Sequence, residues 1–305
     1  MPTQSPLSSE LREYYEVESA RLQQIFSATK DGLKYLQERT ALVDIIARRL
    51  WAQLAASSGL APSQSVFAAV GDFGRQTLFP YSDLDLVVLV AGGEAAEKCR
   101  DAAQRISQSL LEIGLKCNIA SGVAPEFIQF DADHADAMLS LLDFRFLDGS
   151  PEFFTNLRDR LIPEIMVRES QALVERLAEL TRNTHRRFAN TVFHLEPNVK
   201  EGPGGFQDYV TARWLAAISA MEARGGWPDP QSYFAPAVQI SMDAALSFFA
   251  AVRCFLHFRN KRDVNLLHWD AQDEAAAHGI GAQGSAAANA TEWMRIYFGH
   301  ACAVD

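Results

Sequence analysis

A chain of 305 residues has room for one large domain or two of ordinary size. With 48% hydrophobic and 22% charged residues it has the balance of a protein that buries a core. A formal net charge of −10 argues against a broad basic surface for duplex nucleic acid, although a local cluster of donors could still hold a small phosphate ligand.

The chain starts polar and acidic, without the basic stretch and apolar run of a secretory leader. From about Ser9 to Leu54 apolar residues such as Leu42, Ile45, Ile46 and Leu50 recur at helical spacing, so one long helix or two shorter ones are expected. Ser57, Ser58, Gly59 and Pro62 break that pattern. Val66–Val70 then reads as a short buried strand ending at Gly71. Asp85–Val90, almost all valine and leucine and closed by Gly92 and Gly93, reads as a second. Ala95–Ile113 is helical, and Leu115–Ala120 is a third strand ended by Ser121 and Gly122. Beyond His134 the spacing is helical almost throughout, near 135–146, 166–190, 207–223, 239–260 and 286–303. The strongest interruption is Trp227-Pro228-Asp229-Pro230. No apolar run approaches the ~20 residues that span a bilayer. The four cysteines, Cys99, Cys117, Cys254 and Cys302, are scattered, which argues against a disulfide framework or a zinc site and fits a reducing cytoplasm.

The informative stretch lies between the first two strands. Side chains alternate along a strand, so Asp83 and Asp85 project together while Leu84 and Leu86 turn to the core. Two aligned carboxylates at the mouth of an apolar strand repel unless a cation neutralises them, and Mg²⁺ is typically bound by one or two carboxylates plus phosphate oxygens. Gly71 and Gly74 allow a sharp turn with room for a phosphate against its N–H groups. Arg75 is placed to add charge-assisted bonds to the same phosphates. The plainer alternative is a pair of surface aspartates capping a strand.

These residues resemble the signature of polymerase-beta-like nucleotidyltransferases, a strand ending in Gly-Gly or Gly-Ser followed by Asp-X-Asp on the next strand. More narrowly, Gly71–Leu89, reading GDFGRQTLFPYSDLDLVVL, is similar to the corresponding stretch of bacterial PII uridylyltransferases. Leu195–Gly205, LEPNVKEGPGG, resembles a second block of that family, and Arg253–Leu267 a later helix and turn. The resemblance covers most of the chain from about residue 40 to 303. It implies an α+β protein. A helical segment (1–60) would precede a small nucleotidyltransferase α/β domain (61–150), with an all-helical domain (151–305) carrying the second block. It further implies uridylyl transfer from UTP to a tyrosine of a PII-like signalling protein. Asp83 and Asp85 would hold Mg²⁺, or Mn²⁺. Gly71, Gly74 and Ser82 would line the triphosphate with Arg75 near it, and Asn198, Lys200, Gly204 and Gly205 would form a loop over the nucleotide.

The sequence departs from that pattern in three places. Asp72 stands where the family has its second glycine, and Phe206-Gln207-Asp208 replaces Leu-Arg-Asp. Lys116, Cys117 and Asn118 occupy the strand that often carries a third carboxylate, so no general base is assigned. A catalytically weakened nucleotide-binding or regulatory module is therefore one alternative, and an adenylyltransferase another. The family's hydrolase and ligand-sensing domains are expected to be absent, since no His-Asp dipeptide occurs. His185, His194, His257 and His268 read as satisfied or solvent-facing, and Phe206, Tyr209 and Trp214 as core. Arg182, Arg186 and Arg187 read as a solvated helix face.

Overall fold

The computed structural model describes residues 6–129, 135–282 and 289–305. They form two compact units. The first takes the chain up to Leu22, then Gln37–Leu78 and Ser82–Glu169; the second takes Gln23–Leu36, Phe79–Tyr81 and Ser170–Asp305. The limits expected near residues 60 and 150 both fall inside the first unit.

Two helices, α1 (Pro6–Thr29) and α2 (Gly32–Ser57), open the chain and give their adjoining ends to the second unit. The first unit continues with β1 (Ser65–Ala69), a single turn α3 (Gly71–Gly74), β2 (Leu84–Val90), α4 (Ala96–Ile113), β3 (Cys117–Val123) and α5 (Ala124–Phe127). It closes with α6 (Ala135–Ser140), β4 (Arg145–Gly149), α7 (Pro151–Asn156) and α8 (Ile162–Arg168), the last two joined by a π-helical turn over Leu157–Leu161. The sheet order is β3-β2-β1-β4, with β1 antiparallel to both β2 and β4, and β2 parallel to β3.

β1 is buried at every position and β2 at every position but Asp85, which explains why both read as unbroken apolar runs. Trp51 of α2 stacks on Phe67 of β1 at 4.9 Å between ring centroids, a pairing that adds about 0.5–1.5 kcal/mol beyond burial. On α4 the buried residues Cys99, Ala102, Ala103, Ile106, Leu110 and Ile113 form one helical stripe. Gly114 ends the helix in the left-handed conformation at φ 97°.

The helix expected over 135–146 is corrected by the structure. The helical spacing over 135–146 holds only to Ser140; a 3₁₀ turn follows over Leu141–Asp143, and Arg145–Gly149 is the strand β4. Pairing with β1 decides this, with Ala69 against Arg145, Ala68 against Phe146 and Phe67 against Asp148 across a bulge. β3 also runs through Ser121 and Gly122 to Val123, carried by its register with β2.

The second unit contains α9 (Ser170–Arg187), α10 (Phe206–Arg224), α11 (Pro236–Asn260), α12 (Trp269–Ala277) and α13 (Ala290–Val304). The start expected for α13, at 286, lies outside the described residues. α11 supplies the core, with Phe248 against Trp293 and Tyr297 of α13 at 5.5 and 6.2 Å. Arg253 is fully buried, its guanidinium 3.7 Å from the centre of the Phe79 ring and 4.9 Å from that of Phe206. α11 is also long and apolar enough to cross a membrane by length and composition. Its mean hydropathy is 1.3 over 18 residues, and 56% of that window is buried within the protein. Averaging tolerates the polar residues that interrupt its apolar run, whereas counting unbroken apolar residues does not.

Candidate active site

The site is built from the turn between β1 and β2. Asp85 is the one residue of β2 left partly accessible, while Leu84 and Leu86 beside it are buried. Asp83 lies exposed just before the strand, near enough for its charge to act on the Asp85 carboxyl. Gly71 follows β1 with φ 57°, and a Cβ on it would lie 2.8 Å from Asp85 Oδ2. Glycine is therefore needed twice over, for the backbone conformation and for the carboxylate that closes on its α-carbon. Val70 N–H donates to Asp85 O at 3.0 Å and fixes the turn to the strand.

The other oxygen of Asp85 is held from the neighbouring strand. In the parallel register Asp85 stands opposite Asn118, and the Asn118 amide donates to Asp85 Oδ1 at 3.0 Å. Burial pushes the Asp85 carboxyl up. The Asn118 hydrogen bond opposes that most strongly, and the nearby Asp72 and Asp83 charges add to it.

Beneath the turn lies a set of contacts that the sequence did not disclose. Arg75 pairs at once with Asp72 and Asp143, and its side chain is only 8% exposed. Arg75 is thus engaged by carboxylates of its own unit, and the charge of Asp72 is met by a neighbour three residues away. A Cβ on Gly74 would collide with the Asp143 carbonyl. Arg145 makes a two-pronged pair with Asp44 at 2.7 and 2.9 Å and also donates to the carbonyls of Phe73, at 3.0 Å, and Gly74, at 3.2 Å. Only the LDFR sequence at 142–145, two opposite charges flanking an apolar residue, hints at Asp143 and Arg145, and it carries no signal of the pairing partners.

The second block is a packed turn within the second unit. Asn198 Oδ1 accepts from the N–H groups of Lys200 at 3.0 Å and Glu201 at 2.9 Å, and Asn198 bridges to Leu266. Gly204, at φ 70°, leaves no room for a Cβ against the Ala301 carbonyl, and a Cβ on Gly205 would sit 2.7 Å from Gly202 O. Gly204 N–H donates to Asp208 Oδ2 at 2.7 Å, the oxygen that also meets His185 Nε2 at 2.7 Å. Lys200 lends its charge to Asp263, whose carboxyl is held far below the usual carboxylate range, first by the His257 ring N–H. Of the residues singled out from sequence, the structure gathers Gly71, Gly74, Arg75, Ser82, Asp83 and Asp85 in the first unit. Asn198, Lys200, Gly204 and Gly205 lie together in the second.

Known proteins divide along the same lines. A family model for GlnD PII-uridylyltransferase matches residues 171–305, and the DUF294 nucleotidyltransferase model matches residues 20–120. The bifunctional uridylyltransferase/uridylyl-removing enzyme of Nitrosospira multiformis is 31% identical over 200 residues, which is 64% of this chain and 22% of that protein. Those of Burkholderia mallei and Burkholderia vietnamiensis are each 27% identical, over 95% and 98% of this chain. The chain is a relative of the PII uridylyltransferases. It spans 33% and 34% of the two Burkholderia enzymes, and so about a third of their length. The α/β part of the first unit is similar to the DUF294 nucleotidyltransferase model, and the glycine turn with Asp83 and Asp85 falls within the matched residues 20–120.

The residues of this PII-uridylyltransferase relative fit a hard divalent cation. Both candidate ligands are carboxylates, the donor type Mg²⁺ and Mn²⁺ favour. Asp85 Oδ2 is turned towards the cradle over Gly71, and the cost of burying its charge is what a cation would relieve. Among the described residues one trio, His185, Asp208 and Asp305, also brings potential ligand atoms within 4.8 Å of one another. There Asp208 Oδ2 already accepts from the Gly204 N–H and meets His185 Nε2, a latch on the turn at Gly204.

Proposed function

We propose that this chain is a metal-dependent protein nucleotidyltransferase, transferring a uridylyl group from UTP to a tyrosine of a PII-like regulatory protein in the cytoplasm. The observation that carries the reading is Asp83 just ahead of Asp85 at the mouth of β2, with Asp85 Oδ2 against the glycine-only turn at Gly71. The names of the relatives suggest the uridylyl group, and the name of the matching family model suggests the PII acceptor.

In the proposed reaction the acceptor oxygen forms a bond to the α-phosphorus. The α–β phosphoanhydride bond breaks, pyrophosphate leaves, and the phenolic proton passes to solvent or a base. Asp83 and Asp85 would hold Mg²⁺ or Mn²⁺, which supplies Lewis-acid polarisation of the phosphate and neutralises the leaving group. Gly71 lets the backbone approach the phosphates without a side chain intervening. Asn118 keeps one oxygen of Asp85 occupied and the other directed to the turn.

A second reading is favoured by one feature. Arg75 is committed to Asp72 and Asp143, which removes a cation from the phosphate side and suits a nucleotide-binding module of low activity. Intact-mass analysis of a PII-like protein incubated with the chain, Mg²⁺ and each common nucleoside triphosphate separates the readings. A gain of one uridylyl group from UTP alone, lost in Asp83→Asn, supports the proposal, and a gain from ATP redirects it to adenylylation. No gain, with nucleotide binding retained in calorimetry, supports the regulatory module.

A further inference from the structure

We infer that Asn118 is a positioning residue for the cation site: its amide locks Asp85 in the single orientation that presents Oδ2 to the cradle over Gly71. The inference deepens the reading of Asp83 and Asp85 as cation ligands and rests on it.

Two observations carry it. The parallel register between β2 and β3 places Asn118 directly beside Asp85, so the contact is fixed by two backbones rather than by a flexible approach. The amide donates to Oδ1 at 3.0 Å, and Oδ2 lies 2.8 Å from where a Cβ on Gly71 would be, so each oxygen of Asp85 has its own place. A carboxylate with one oxygen tied to a neutral donor cannot rotate without breaking that bond, and hydrogen bonds to metal-binding groups orient them and tune affinity. An amide also differs in kind from a third carboxylate at that place. It supplies a donor and adds no charge, so the site takes its negative charge from Asp83 and Asp85.

The test compares the unaltered chain with Asn118→Leu, close in size but without a donor, and Asn118→Gln, which keeps one. Asn118 is exposed, so neither variant threatens the core. Binding of Mn²⁺ alone is read by water-proton relaxation and calorimetry, with Asp83→Asn as the control lacking a ligand. The expected result is a loss of Mn²⁺ affinity of about 10- to 100-fold in Asn118→Leu, with a smaller loss in Asn118→Gln. Transferase assays should show kcat lowered and the KM for nucleotide unchanged, with excess Mn²⁺ restoring kcat, which a merely structural defect would not do. Asn118→Leu binding Mn²⁺ as tightly as the unaltered chain overturns the inference and leaves the cation site standing. If the unaltered chain binds Mn²⁺ no better than Asp83→Asn, the cation-site reading itself fails and the inference falls with it.

Discussion

Arg75 turns back on its own short helix to pair with Asp72, so the carboxylate in the glycine turn is neutralised within three residues. The same guanidinium reaches Asp143, which ties the glycine turn to the approach to β4. Removing it in Arg75→Ala leaves two carboxylates facing each other with little water. Breaking a buried pair costs about 3–5 kcal/mol, and the partial exposure of Asp72 places this case near the lower figure. Urea unfolding should show that loss. Asp72→Asn, which keeps a hydrogen-bond acceptor for Arg75, should cost far less and leave nucleotide binding intact.

The paired aspartates should separate activity from stability. Asp83→Asn and Asp85→Asn are each expected to lower transfer by at least about 10²–10³-fold, the scale of losing one charge-stabilising group at a reacting phosphate. Because burial disfavours the Asp85 charge, Asp85→Asn should raise the melting temperature in the absence of divalent ions. Thermal unfolding with and without Mg²⁺ checks this, and a lowered melting temperature in metal-free buffer would count against the site as described.

Gly71 should be replaceable by nothing larger. Gly71→Ala carries a left-handed strain of about 1–2 kcal/mol and sets a methyl 2.8 Å from Asp85 Oδ2. The expected outcome is a folded protein with modestly reduced stability and transfer reduced to the level of Asp85→Asn, measured by intact mass of the acceptor.

Acid sensitivity should reside partly in Asp263. His257 is fully buried, with Nδ1 on the Pro80 carbonyl and Nε2 2.9 Å from Asp263 Oδ1. The Asp263 carboxyl is depressed in the folded protein, so the unfolded chain takes up its proton first as pH falls. This stabilisation is present in full above the ordinary carboxylate value of about 4 and is lost as pH falls from there towards the depressed folded value. Asp263→Asn should be less stable at pH 7 and show a flatter decline between about pH 4 and pH 2 in denaturant titrations.

Much of the first unit was legible in the sequence because its signals are local. β1 and β2 are continuous apolar runs closed by glycine, and the Asp-X-Asp alternation follows from strand geometry alone. β4 was not legible, since Met138, Leu139, Leu142 and Phe146 satisfy helical spacing and only the distant edge of β1 makes 145–149 a strand. The Arg75–Asp143 and Arg145–Asp44 pairs were hidden for the same reason, as their partners lie far apart in the chain. Gly204 and Gly205 were recognisable as a motif. That a carbonyl crowds each of them is a property of the packed turn.

The order of the strands carries a consequence for how the protein assembles. β1 and β2 are neighbours in the chain and can zip early, whereas β4 must wait for everything between Val90 and Arg145 before it reaches Ala69. Contacts so distant along the chain are slow to close. The β4 edge, with Arg145 and the floor it makes under the glycine turn, should therefore form late in refolding, with Leu147→Ala speeding unfolding more than it slows folding. The glycine turn would then be among the last parts of the first unit to acquire its shape.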